Sequence, residues 1–170
     1  MLIPKTVRTF FPFALAVSLA AAAGGSLTEM SVHHWYVHLH KPAWTAPSQI
    51  FAPVWTVLYA SMALAAWLVY QKEGWEKSQA PLRLWGIQLV LNAFWPGCFF
   101  ALRNPALGSA EILLLLGFVI ATTLSFWKRD RKAGLLLVPY CLWGAYAAAL
   151  TLTIWHMNGH LDFRTMAIHL

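Results

Sequence analysis

The chain has 170 residues, of which 59% are hydrophobic and 11% charged, with a formal net charge of +6. A soluble domain carries about 25% charged residues, so this composition excludes one. The few charges lie between long apolar runs: Thr9–Thr28, Pro42–Gln71, Leu84–Leu102 and Ala133–Leu161 contain no Asp, Glu, Lys or Arg, and Asn104–Trp127 contains only Glu111.

Each run supplies roughly 17–25 apolar residues, enough to cross the ~30 Å hydrocarbon core as a helix. Backbone groups in lipid must be satisfied internally, and the runs lack the ~10-residue alternation of barrel strands. The expected fold is therefore all-α, an integral membrane bundle of five transmembrane helices forming one domain over residues 1–170. The spans are expected at 8–28, 49–71, 83–102, 106–127 and 133–156, joined by a first loop at 29–48. Lys5, Arg8, Lys72, Lys77, Arg83, Lys128, Arg129, Arg131 and Lys132 then fall on one side of the membrane, and only Lys41, Arg103 and Arg164 on the other. The positive-inside rule places the N-terminus inside and the C-terminus outside. The basic excess reports topology and a lipid-bilayer partner, not a nucleic-acid surface.

In span one, Lys5 and Arg8 precede an apolar run and Ala21-Ala22-Ala23, the pattern of a secretory leader. Ala21 and Gly25, four apart, instead suit close helix packing in lipid, and a retained span is expected. The first loop, residues 29–48, holds Trp35, Trp44 and four histidines. Lys41-Pro42 and Ala46-Pro47 disfavour helix at the residue before each proline, so the next regular run begins near Gln49. Trp35 and Trp44 in the loop, with Trp55 just beyond it, offer flat surfaces over a cavity for a flat hydrophobic ligand.

Span two places Trp55, Tyr59 and Met62 on one helical face. Span three does the same with Gln88, Asn92, Trp95 and Phe99. Polar groups in hydrocarbon need partners, so the two amides read either as interhelical hydrogen-bonders or as site residues. Glu111, about one turn into span four, is either a functional carboxylate or a group that reaches interfacial water or Arg103. Thr122 and Thr123 are expected to bond back to their own helix. Span five carries Pro139, which removes one backbone bond, and the stripe Trp143, Ala147, Leu150 and Ile154.

No nucleophile–His–Asp set, phosphate loop or HExxH motif occurs, and the six acidic residues are scattered. Cys98 and Cys141 fall inside spans and form no metal motif. His33, His34, His38 and His40 of the loop, with His156, His160 and His169, are expected on one side; they read as interfacial polar residues, with a Zn²⁺ or haem-iron site as the alternative. Trp67, Trp75, Trp85, Trp127 and Trp155, near span ends, read as interfacial belt residues. Trp44, Trp55, Trp95 and Trp143 face the bundle or its lid.

The segments WYVHLHKPAWTAP, FAPVWTVLY, QLVLNAFWPGCFF and VPYCLWGAYAAAL resemble, in order and across nearly the whole chain, the translocator or tryptophan-rich sensory protein family (TspO/MBR). The resemblance implies a five-helix bundle, usually a homodimer, whose cavity is closed by the first loop. It implies porphyrin or haem as ligand, with no obligatory cofactor, together with isoquinoline carboxamide or benzodiazepine ligands. By motif position it implies a pocket of Tyr36, Trp44, Pro47, Ile50, Trp55, Asn92, Trp95, Phe99, Ile112, Trp143, Ala147 and Leu150, with Glu111 at an early acidic position of span four. Leu150-Thr151 stands where the family often has Leu-Asn, and Leu152 and His156 replace the Tyr and Lys or Arg of the animal sterol motif. Tetrapyrrole transport, sequestration or stress regulation is therefore the expected role. A light-dependent porphyrin-degrading enzyme and a sterol-binding protein are the alternatives. A bacterial membrane is expected, or else the mitochondrial outer membrane.

Overall fold

The computed structural model describes residues 5–159 and, among them, is entirely helical: α1 (Lys5–Glu29), a short 3₁₀ turn (Tyr36–His38), α2 (Ser48–Pro96) continued by a π-turn (Gly97–Ala101), α3 (Pro105–Trp127) and α4 (Arg131–Asn158). His160, Arg164 and His169 lie outside the described residues. Four helices are long and apolar enough to cross a membrane, so the chain is a multi-pass integral membrane protein.

Five separate helices were expected; the second and third are instead assigned as one. The reason is Gly74, whose φ of 71° and ψ of 175° break the helix geometry while the residues on both sides stay helical. The segment expected as a loop between residues 71 and 83 is thus helical apart from that one residue. The two limbs fold back on each other within this one assigned helix. Tyr59 Oη donates to Asn92 Oδ1 at 2.5 Å, whereas 33 residues of straight helix would separate them by about 50 Å. Trp85 Nε1 donates to the Met62 carbonyl at 3.1 Å, one turn nearer the fold.

The ends of the bundle match the charge pattern. Trp67 and Gln71 both donate to Thr9 Oγ1, at 3.2 and 2.8 Å, and Lys72 pairs with Asp130 at 3.5 Å. Arg8, Lys72 and the Lys128–Lys132 turn therefore share one end, while the first loop and Arg103 share the other. Asp130 caps α4 by accepting from the Lys132 and Ala133 amides. Partial burial works to raise its pKa, but those two amides and Lys72 outweigh this and leave it lowered.

Several expectations need correction. Trp85 is buried, with its indole bonded to Met62, and is no belt residue; Trp75, Trp127 and Trp155 do face outward. In α1 the close approach falls at Gly24, against Pro96 Cγ at 3.5 Å, while Gly25 meets nothing within 4 Å. The helical phase turns Gly25 away from α2. The small-residue face Gly144–Ala148 of α4 lies inside the chain, where a Cβ at Gly144 would meet Leu116 at 3.2 Å. Gly117 remains open. Thr122 and Thr123 do bond back, to the carbonyls of Phe118 and Val119.

Gly74 generates a prediction. Its φ/ψ region is essentially restricted to glycine, so Gly74→Ala should cost about 1–3 kcal/mol, although no neighbour would clash with the added methyl. Unfolding in mild detergent should show that loss, and Gly86→Ala, also free of neighbours within 4 Å but inside a regular limb, should not.

Candidate functional site

The loop-side half of the bundle is built from aromatic rings and one amide. Asn92 is fully enclosed between three helical limbs. It accepts from Tyr59 Oη, and its Nδ2 donates to Tyr140 Oη at 2.7 Å. The amide oxygen and nitrogen thus each take part in joining the two limbs of α2 to α4. Trp55 lies over this bridge, with its ring centroid 5.6 Å from Tyr59 and 6.3 Å from Tyr140.

A second group forms where α2 gives way to the π-turn. Trp95 stacks on Phe99 at 5.4 Å and 16°, and its Nε1 donates to the Gly108 carbonyl at 3.1 Å. Gly108 is required by close approach: a Cβ there would lie 2.9 Å from Phe99 Cβ and 3.2 Å from its Cα. Trp35 packs edge-on against Phe99 at 5.5 Å and is fully buried. Trp35 thus anchors the loop and does not present a face to a cavity. Tyr36 contacts Phe99 and Phe100, and Leu150 belongs to the same buried cluster.

The third group lines an apolar groove of about 520 Å³ between α2 and α4, formed by Pro53, Val54, Val57, Leu58, Pro139, Leu142, Trp143 and Tyr146. Trp143 lies 5.5 Å from Phe51 and 5.2 Å from Tyr146. Trp44 of the loop closes on Tyr146 at 5.9 Å and remains 49% exposed.

The first loop is tied down at both ends and in its middle. Arg103 Nε donates to Ser31 Oγ at 3.2 Å. Asn158 exchanges two hydrogen bonds with the His40 backbone, at 3.0 and 2.8 Å. The Ala46 amide donates to Tyr146 Oη at 2.7 Å. Lys41 Nζ folds back to donate to the Tyr36 and Leu39 carbonyls, and lies 4.8 Å above the Tyr36 ring. Burial lowers the Lys41 pKa, and burial, reinforced by Tyr146, pushes the Tyr36 phenol up to about 12. Tyr36 is consequently a neutral hydroxyl at physiological pH.

The structure brings most of the expected pocket together, in two layers. Trp55, Trp95, Trp143 and Ala147 pack against the cluster that contains Ile112, while Tyr36, Phe99 and Leu150 form the layer beneath the loop, with Trp95 touching both. Pro47 and Ile50 are not part of it. Pro47 caps α2, and both face outward, Ile50 with 43% exposure. Sequence reasoning passed over Tyr140, Tyr146, Phe51 and Asn158. The first two were readable, since 140, 143, 147 and 150 continue one helical face and Tyr146 is one turn from Trp143. Nothing in the sequence marks Asn158 as a partner of residue 40. Among the described residues, no three His, Cys, Asp or Glu converge on a metal-sized space. His33 instead contacts Glu29 at 3.3 Å on the surface.

The Tyr146 tether is directly testable. Tyr146→Phe keeps the ring contacts with Trp44 and Trp143 but removes the acceptor of the Ala46 amide, at a cost of about 0.5–1.5 kcal/mol. Hydrogen exchange should accelerate at Ala46 and leave the His40 amide, which Asn158 holds, unchanged.

A profile of the TspO/MBR family matches residues 13–156. The chain is 37% identical over 156 residues to the tryptophan-rich protein TspO of Chlorobaculum tepidum, covering 89% of this chain and 98% of that protein. It is 35% identical over 148 residues to the human translocator protein, covering 86% and 88%. It is also 35% identical over 149 residues to the tryptophan-rich sensory protein of Cereibacter sphaeroides, covering 86% and 92%. With its arrangement of membrane helices and a match that spans most of its length, the chain belongs to the TspO/MBR family.

Proposed function

We propose that the chain binds a porphyrin or haem between α2 and α4, beneath the first loop, and acts in tetrapyrrole transport, sequestration or stress regulation in the membrane. The observation that carries this reading is the Trp143 wall. Its half-buried indole lines an apolar groove about 520 Å³ in volume, with Phe51 and Tyr146 beside it and Trp44 of the loop at the upper rim. A flat macrocycle gains from ring stacking and apolar burial, and aromatic walls supply both. The groove's lining includes the exposed side chains of Val57 and Leu142, so a ligand dissolved in the bilayer could reach it from the side. The names of relatives, translocator protein and tryptophan-rich sensory protein, agree with a role in moving or sensing a small molecule. Isoquinoline carboxamides, benzodiazepines and sterols share the flat apolar shape and belong to the same proposed ligand class. A homodimer is proposed as well, for which the open face at Gly117 offers a close-approach surface.

The test compares three tryptophans by titrating protoporphyrin IX into purified protein and following fluorescence quenching. Trp143→Ala and Trp55→Ala should each weaken binding several-fold or more, since an aromatic wall contributes about 0.5–1.5 kcal/mol beyond its area. Trp127→Ala should leave affinity unchanged, because Trp127 sits beside Lys128 at the opposite end and faces outward. Equal losses in all three variants would mean generic tryptophan–porphyrin adhesion. Following porphyrin absorbance in light and dark would add a Trp-dependent product only if the chain degrades its ligand.

A further inference from the structure

One buried group has no role in the architecture described above. Glu111 lies on α3 at 8% exposure, and neither of its carboxylate oxygens has a hydrogen-bond partner. It shares a helical face with Gly108, Ile112 and Leu115, the face that packs into the bundle. The cation expected to meet it, Arg103, is bonded to Ser31. Among the described residues the buried polar set contains no Lys or Arg: it consists of Ser, Thr, Asn, Gln and Glu111.

Such a group is expensive to keep. A buried carboxyl group without a partner costs several kcal/mol, and a buried charge needs a counter-group or a proton. Leucine at the same position would fill similar space without that penalty. Of the other buried polar side chains, Asn92 is bonded to two tyrosines and Ser109 to the Pro105 carbonyl at 2.7 Å, while Gln88 donates to Met62 Sδ at 3.7 Å and leaves its neutral Oε1 unpaired. Glu111 also lies one turn beyond Gly108, whose carbonyl and bare Cα are the contact points of Trp95 and Phe99. The unpaired carboxyl is therefore one helical turn from the point where that ring stack meets α3.

We propose that the Glu111 carboxyl group is the polar recognition point of the bundle interior and pairs with a hydroxyl or N–H donor on an otherwise flat, apolar ligand. This rests on the reading that the aromatic interior takes such a ligand. Apolar walls alone accept any flat molecule of the right size. A single buried acceptor discriminates, because a ligand lacking the donor leaves the carboxyl unpaired. The direction of insertion follows as well: the donor end enters toward α3 and the apolar body remains against Trp95, Trp143 and the loop.

The experiment uses two probes with one ring system, 1-pyrenemethanol and its methyl ether, which differ in the donor alone. Binding to the full chain in lipid nanodiscs is read by energy transfer from protein tryptophans to pyrene, for the unmodified chain, Glu111→Leu and Glu111→Gln. The unmodified chain should prefer the alcohol over the ether by roughly five- to tenfold, the value of about one hydrogen bond. Glu111→Leu should bind both alike, and Glu111→Gln, which keeps an acceptor, should retain part of the preference. Glu111→Leu should also melt no lower than the unmodified chain, since it removes an unpaired buried group; a clear drop would make the carboxyl structural and overturn the proposal. An alcohol-to-ether ratio that is the same with and without Glu111, or no saturable pyrene binding, would overturn it too. Protoporphyrin IX titrated into the same preparations separates the two ideas. Porphyrin binding with no Glu111-dependent preference sinks this inference alone, and failure of porphyrin to bind the unmodified chain sinks the tetrapyrrole reading.

Discussion

In a bilayer, a polar side chain in the middle of a helix must find a partner on another helix, and in this chain Asn92 has found two. Its carbonyl accepts from Tyr59 on the first limb of α2, and its amide donates to Tyr140 on α4. Water cannot compete for these bonds in hydrocarbon, so they hold against an alternative that leaves polar groups unpaired. Three helical limbs are thereby set in register at one depth. The positions of Trp55 over the two tyrosines, of Trp95 one turn further along α2 and of Trp143 one turn along α4 all follow from that register. The aromatic interior is thus arranged around a polar pin.

The first loop is part of the same structure. It contributes Trp35 to the core and is held at Ser31 by Arg103, between the π-turn and α3, and at His40 and Ala46 by Asn158 and Tyr146 of α4. The partners of these contacts are distant in sequence, by 72, 118 and 100 residues. Lifting the loop requires breaking several hydrogen bonds at once, and each contributes on the order of 1 kcal/mol.

Tyr146 connects the two regions. Its ring forms part of the groove wall beside Trp143, and its hydroxyl holds the loop backbone at Ala46. A molecule that displaces the Tyr146 ring also moves the acceptor on which the loop depends. Groove and loop are therefore mechanically linked through one side chain.

The sequence by itself determined the membrane class, the end at which cations gather, and the aromatic faces of α2 and α4. Those properties depend on local composition and on helical periodicity, which any single run displays. It also located the loop, because proline restricts the residue before it wherever it occurs. What the tertiary structure decided was pairing. Asn92 could have been glue or a ligand contact, and only the positions of Tyr59 and Tyr140 showed that its side chain bridges two helical limbs. Trp85 and Trp67 lie at similar distances from span ends as Trp75, yet Trp85 turns inward to Met62 and Trp67 to Thr9, because side-chain direction depends on which neighbour the helix meets. The same holds for Gly24 against Gly25, and for Glu111, whose expected partner Arg103 is held by the loop. Partners far apart in the chain leave no periodic trace, and in lipid they decide which polar group is satisfied and which is left unpaired.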